Sequence, residues 1–151
     1  MIRRPWGVGH LPCHLPRMHA ILAFSTLPLY LGALLCDGAY AQTAQVQWSN
    51  FASWLIAWAL VFNGIALIWA LVAALWPHRG RWRHRATYLL TLAGSVILAF
   101  VNSLVHARDA WATMPAAPIL SALVFLLAAV AAGVGLAVPT RNGQPLVGAT
   151  P

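Results

Sequence analysis

Residues 52–76 read ASWLIAWALVFNGIALIWALVAALW, with no charged side chain and one strongly polar residue near the middle, Asn63. A bilayer hydrocarbon core of about 30 Å is crossed by about 20 apolar residues in a helix, so this stretch is long enough to span it. It is not alone. No charged residue occurs between Arg17 and Asp37, between Asp37 and Arg79, between Arg85 and Arg108, or between Asp109 and Arg141, and each gap holds an apolar run. The expected spans are residues 19–36, 52–76, 87–105 and 119–138, which makes the chain an all-α integral membrane bundle of four transmembrane helices.

Composition agrees. Of the 151 residues, 61% are hydrophobic and 7% are charged, well outside the range of soluble domains. All nine positive charges are arginines. Arg3, Arg4 and Arg17 precede the first span, Arg79, Arg81, Arg83 and Arg85 form a basic loop between the second and third, and Arg141 follows the fourth. The other side carries Arg108 with both acids, Asp37 and Asp109, so the positive-inside rule predicts N-in, C-in. A formal charge of +7 in a soluble protein would suggest nucleic acid; here the arginines mark topology, the lipid bilayer is the expected partner and no nucleic acid is expected. Cys13 and Cys36 fall at opposite ends of the first span, so no internal disulfide is expected.

Residues 1–18 contain Pro5, Pro12 and Pro16 with Gly7 and Gly9, and read as an irregular cytoplasmic lead. The first span, with Ala39-Tyr40-Ala41 after it, also imitates a secretory signal peptide, although the long lead with its histidines and prolines argues for retention. Pro28 should bend that span, with Ser25 and Thr26 re-satisfying the carbonyls it frees. Residues 38–50 read as a polar outer loop. The fourth span is rich in small residues, and Ala129 to Gly133 has the spacing that lets helices approach closely. Residues 139–151 read as a flexible cytoplasmic tail.

Polar residues inside a bilayer are either interhelical glue or functional. Thr87, Thr91, Ser95, Asn102 and His106 fall on one stripe of the third span, and His19, Thr26, Ala33 and Asp37 on one stripe of the first. Trp54, Trp58, Phe62, Trp69 and Trp76 share a side of the second span, expected to face lipid or a packed neighbour rather than a quinone, and Asn63 points the other way. Topology brings Asp37, His106, Arg108 and Asp109 to one outer surface. A histidine beside a carboxylate suits proton transfer or metal ligation, and the same groups also make an ordinary ion-pair network. No metal is assigned. Two imidazoles on different helices could hold haem b, yet His19 and His106 enter from opposite sides, about 30 Å apart. No cofactor is therefore expected, with haem the alternative. Glycine-rich phosphate loops, nucleophilic serine arrangements and paired glutamates are absent, and the chain has neither glutamate nor lysine.

Three segments carry a family resemblance: residues 31–37 (LGALLCD) with Ala39, Tyr40, Trp48, Phe51, Trp54 and Leu55; residues 101–111 (VNSLVHARDAW); and Pro115 with residues 119–122 (ILSA). Over about residues 19–136 the chain resembles the bacterial predicted membrane proteins grouped as domain of unknown function family 2231. The resemblance implies a four-helix domain in the bacterial inner membrane and an association with periplasmic redox proteins. The expected function is non-enzymatic, a membrane accessory or docking subunit for a periplasmic or redox partner. A haem- or quinone-binding electron carrier and a small transporter using Pro28, Asn63 and Asn102 are the alternatives. His19 is followed by Ala20 where many relatives have proline, and the chain lacks a fuller glycine-rich close after Gly135.

The topology is directly measurable. A phosphatase reporter that is active only outside the cytoplasm should be inactive when fused after Pro151 and active when fused after Gln45; the reverse pattern would invert the bundle.

Overall fold

The computed structural model describes residues 14–75, 82–108 and 113–136, and within them the side chains other than those of 14–20, 82, 84 and 136. Arg79, Arg81 and Asp109, residues 1–13 of the expected lead and the expected tail lie outside the described residues. Four helices follow one another, α1 His14–Thr43, α2 Val46–Leu75, α3 Trp82–His106 and α4 Ala116–Leu136. Each contains a segment long and apolar enough to cross a membrane, Ile21–Thr43, Val46–Leu75, Arg85–His106 and Ala116–Gly135. The helices pack in a ring, α1 on α2, α2 on α3, α3 on α4 and α4 on α1.

What each helix turns inward is set by a strict spacing. On α2 the buried residues are Ser49, Ala52, Ile56, Ala59, Asn63, Ala66 and Ala70, in alternating steps of three and four. The same alternation runs through Thr26, Tyr30, Ala33, Asp37 and Tyr40 on α1, Leu92, Ser95, Ala99, Asn102 and His106 on α3, and Ala117, Ser121, Val124, Ala128 and Ala131 on α4. A mean step of 3.5 residues is the period of helices that wrap gently around each other with left-handed supercoil. The buried apolar residues are mostly alanine, whereas Trp54, Leu75, Leu90 and Ile97 stand exposed on the outside. In lipid this is the stable arrangement, because large apolar side chains lose nothing by facing hydrocarbon and small ones let backbones approach.

That period corrects one stripe. Thr87 is exposed and Thr91 only half-buried, each bonded to a backbone carbonyl of its own helix, Thr87 to Arg83 and Thr91 to Thr87 and Tyr88. Stepping by four residues turns 40° past a full circle on a 3.6-residue helix, so a line of fours drifts off the inward face. On α4, Ala128, Ala131 and Ala132 are buried, but Gly133 is exposed with open space where a Cβ would stand. The close approaches made by glycine are elsewhere: a Cβ on Gly94 would lie 3.2 Å from Leu127, one on Gly32 3.1 Å from Leu55, and one on Gly135 3.0 Å from Tyr88.

The helices also overrun the expected spans. Instead of a loop over 38–50, α1 continues to Thr43 and α2 begins at Val46, leaving a turn of two residues. Alanine, glutamine and threonine tolerate helix, so polarity there marks exposure to water rather than irregular backbone. The turn is made at Ala44, whose φ is 53°, with its N–H on the Tyr40 carbonyl at 2.8 Å and the Thr43 hydroxyl accepting from Gln45 N–H. Pro28 sits inside α1. Ser25 and Thr26 do not bond the Phe24 carbonyl that it frees; they donate to the carbonyls of Ile21 and Ala23.

A non-glycine residue in left-handed conformation costs about 1–2 kcal/mol. Ala44→Gly should therefore stabilise the protein by about 1 kcal/mol in detergent unfolding, whereas Gly94→Val, which crowds Leu127, should destabilise it by about 1–3 kcal/mol.

Candidate functional site

Asp37 and His106 face each other across the bundle, from α1 and from the last residue of α3. His106 Nε2 lies 2.8 Å from Asp37 Oδ1 and its Nδ1 lies 2.9 Å from the Asn102 carbonyl. The other carboxylate oxygen, Oδ2, accepts from the Ser121 hydroxyl of α4 at 2.5 Å, and Ser121 Oγ in turn accepts from Asn102 Nδ2 at 3.0 Å. Four side chains from three helices thus form one network. Asp37 is 1% exposed, Asn102 0%, Ser121 2% and His106 8%.

Each of these groups is brought in by the 3.5-residue phase. Asp37 falls one step of seven beyond Tyr30, and Asn102 and His106 are successive inward positions of α3. Sequence reasoning placed Asp37, His106, Arg108 and Asp109 together on the outer surface. The structure divides them. Because α1 runs on past Asp37, the carboxylate points into the bundle with His106, while Arg108, just beyond α3, is exposed. Asp37 is bonded to His106 and Ser121, and Asp109 lies outside the described residues. Ser121 is the residue that sequence reasoning missed; it is the single hydroxyl in α4, on that helix's inward phase.

The hydrogen bonds constrain the protons. A backbone carbonyl can only accept, so His106 Nδ1 carries a proton. One more proton must lie between Nε2 and Oδ1, on the imidazolium or on the carboxyl, since two lone pairs at 2.8 Å repel. Ser121 gives its single proton to Asp37, which fixes Asn102 with Nδ2 toward Ser121. Asn102 Oδ1 is then buried without a partner among the described residues, at a cost of about 1–3 kcal/mol. Serine and imidazole both bind the carboxylate rather than each other. A nucleophilic triad has the imidazole in the middle, so this order of groups cannot activate Ser121.

A second polar layer lies one step of seven deeper, about 10 Å along the axis. Asn63 Nδ2 donates to Ser95 Oγ at 2.9 Å and to Tyr30 Oη at 3.3 Å, tying α2 to α3 and α1, and Ser95 donates to the Leu92 carbonyl at 2.7 Å. Thr26 is buried one turn further on and bonds the Ala23 carbonyl. Ala59, Ala99 and Val124 lie between the two layers, in a cluster that also takes in Tyr30 and Ala128, and the far end of the bundle is closed by Ala66, Ala70, Leu92 and Ala131. Trp54, Trp58 and Trp69 are exposed on the outer face of α2, opposite Asn63, and Trp58 packs beside Phe62 at 6.4 Å between ring centres. At the other end of the molecule Arg83 is exposed, and Arg85 donates to the Ala73 carbonyl in the last turn of α2, where a cation meets the negative end of the helix dipole. Among the described residues no three histidine, cysteine or carboxylate side chains are grouped for a metal.

Removing one member of a buried pair leaves the other without compensation, so His106→Ala should cost about 3–5 kcal/mol of stability. Asp37→Asn should cost less than about 1 kcal/mol, because the amide can donate to Nε2 and accept from Ser121, reproducing both bonds of a protonated carboxyl. Unfolding of both variants in detergent checks the contrast; equal losses would mean that the charge of the carboxylate, which the amide lacks, governs the site.

The geometry can be set beside known proteins. No curated protein and no solved structure matches the chain. The family described as "Predicted membrane protein (DUF2231)" matches residues 16–147, which take in all four membrane-spanning segments and both polar layers. The chain belongs to the DUF2231 family of predicted membrane proteins.

Proposed function

We propose that this protein is a non-enzymatic accessory subunit of the bacterial inner membrane, whose outer end docks a periplasmic protein, with a redox protein as the class suggested by the family resemblance. The observation that carries this reading is the α1–α2 hairpin. Asp37 pairs with the last residue of α3, yet α1 continues six residues further to Thr43, about 9 Å. With 30 residues, α2 is about 45 Å long, well over the hydrocarbon thickness. Its tip, residues 41–47, is exposed and offers Gln42, Thr43, Gln45 and Gln47 around Val46, which is 63% exposed. Uncharged hydrogen-bonding groups around an apolar centre suit a protein surface.

The interior supports the same reading. Apart from Asn102 Oδ1, its buried polar side chains bond one another or the backbone, which ties the four helices together. Both nitrogens of His106 are engaged, so iron ligation there would first have to break the bond to Asp37 or to Asn102. A transport path through Asn63 and Asn102 would have to open the alanine-rich layers between and beyond them. An electron carrier or a transporter therefore each requires a rearrangement that docking does not.

The test is to purify the protein in mild detergent, take its visible spectrum oxidised and reduced, and identify what co-elutes. A colourless protein with a stoichiometric companion is expected. That companion should be lost from Gln42→Ala/Gln45→Ala/Gln47→Ala with unfolding unchanged, and kept by the lipid-facing control Ile68→Ala. A stoichiometric reducible haem, or a companion indifferent to the tip, would overturn the proposal.

A further inference from the structure

The docking hairpin is anchored by a pair of groups that bond only at one proton count. We propose that Asp37 and His106 form a proton-operated latch: the bundle end bearing the hairpin is held closed while the pair carries two protons, and is released when one is lost to the outer aqueous phase. This rests on the docking reading for its purpose, though not for its chemistry.

The argument is a count of donors and acceptors. With two protons, Nδ1–H meets the Asn102 carbonyl, the second proton lies between Nε2 and Oδ1, and Oδ2 accepts from Ser121. The pair is then neutral overall, whether written as imidazolium and carboxylate or as imidazole and carboxyl. With one proton, no arrangement satisfies the same geometry. If it stays on Nδ1, the Nε2 lone pair faces a carboxylate at 2.8 Å; if it moves to Nε2, the Nδ1 lone pair faces a carbonyl at 2.9 Å. Either form also leaves a net negative charge among side chains that are almost fully buried.

Little else at this level can compensate. The whole of α2 and the whole of α4 contain no ionisable side chain. From α1 the neighbours are Cys36 and Tyr40, neither of which is a cation. Beyond the end of α3, Arg108 is exposed to solvent, and Asp109 lies outside the described residues. Asp37–His106 spans the diagonal of the ring, joining two helices that are not ring neighbours, so its loss frees α1 from α3 directly.

The sign follows from the protons bound in each state. Separated and hydrated, an aspartate and an imidazole together hold one proton above about pH 6.5, against two in the closed pair. Closure therefore takes up one proton, and the ratio of open to closed bundle should rise about tenfold for each pH unit above that point. Asp37→Asn removes the effect. The amide N–H replaces the shared proton, the histidine stays neutral with its proton on Nδ1, and above about pH 6.5 no proton is gained or lost on opening.

The experiment uses the full chain in lipid nanodiscs without any partner, so that it stands or falls apart from docking. Spin labels at Gln42→Cys and Ala107→Cys, in a Cys13→Ser/Cys36→Ser background, report the distance between the α1 tip and the end of α3. One narrow distance is expected at about pH 5.5, with a second, broader population growing about tenfold per unit toward about pH 9. Asp37→Asn should keep the narrow distance from about pH 6.5 to about pH 9. A wild-type distance unchanged over that range, or an identical response in Asp37→Asn, would overturn the latch. Should the labelled chain not fold, hydrogen exchange at residues 38–43 in the native-cysteine chain, divided by the Asp37→Asn rate at each pH, reads the same opening. Partner capture unchanged in the tip variants, with the pH response intact, would sink docking alone.

Discussion

A carboxyl group in the interior of a membrane bundle has no water to fall back on, and the structure is organised around giving Asp37 partners. His106 comes from the diagonal helix, Ser121 from the neighbouring one, and Asn102 supports both of them. For these four to meet, α1, α3 and α4 must hold one register. A shift by one residue would turn each side chain by about 100° and leave the carboxyl unpaired, at a cost far above that of a slipped apolar contact. The network therefore specifies the fold more than it strengthens it, since a well-packed apolar replacement of a buried pair is often as stable.

Packing supplies the rest. Lipid chains are as apolar as leucine, so the helices gain no solvent-driven reason to associate. They associate because alanines on the inner faces allow close contact, and because Asn63 finds Tyr30 and Ser95 in the middle of the bundle. The exterior is correspondingly large and apolar, with Trp54, Trp58 and Trp69 of α2 turned outward.

Much of this was legible in the chain, for a physical reason that also marks where legibility stopped. Charge is so costly in hydrocarbon that its absence outlines each span, and the single asparagine of residues 52–76 had to point inward; Asn63, Ser95, Asn102 and Thr26 are all buried. Phase was harder. Thr87 and Thr91 line up with Ser95 at intervals of four, whereas the bundle follows three and four in alternation, and only the structure shows Leu92 in their place. Depth was harder still. Asp37 ends the apolar run, which placed it at the surface, but the helix does not end where hydrophobicity does, and six further residues of α1 carry the chain beyond it. Ser121 could have been found by asking which polar side chain in α4 could answer a carboxyl. Tyr30, seven residues before Asp37, shares its phase.

The membrane-spanning segments of the four helices are unequal, with 23, 30, 22 and 20 residues in chain order. Since α2 and α4 stand diagonally across the ring, the longest and the shortest face opposite ways into the lipid. A bilayer meeting such a wedge must thicken or tilt beside α2 and stay thin beside α4, at a cost of fractions of a kcal/mol per Å of mismatch. That gives the protein a preferred azimuth in the plane of the membrane. Neighbours with long spans would gather on the α2 side and short ones opposite, so lipid would impose lateral order before any two proteins touch.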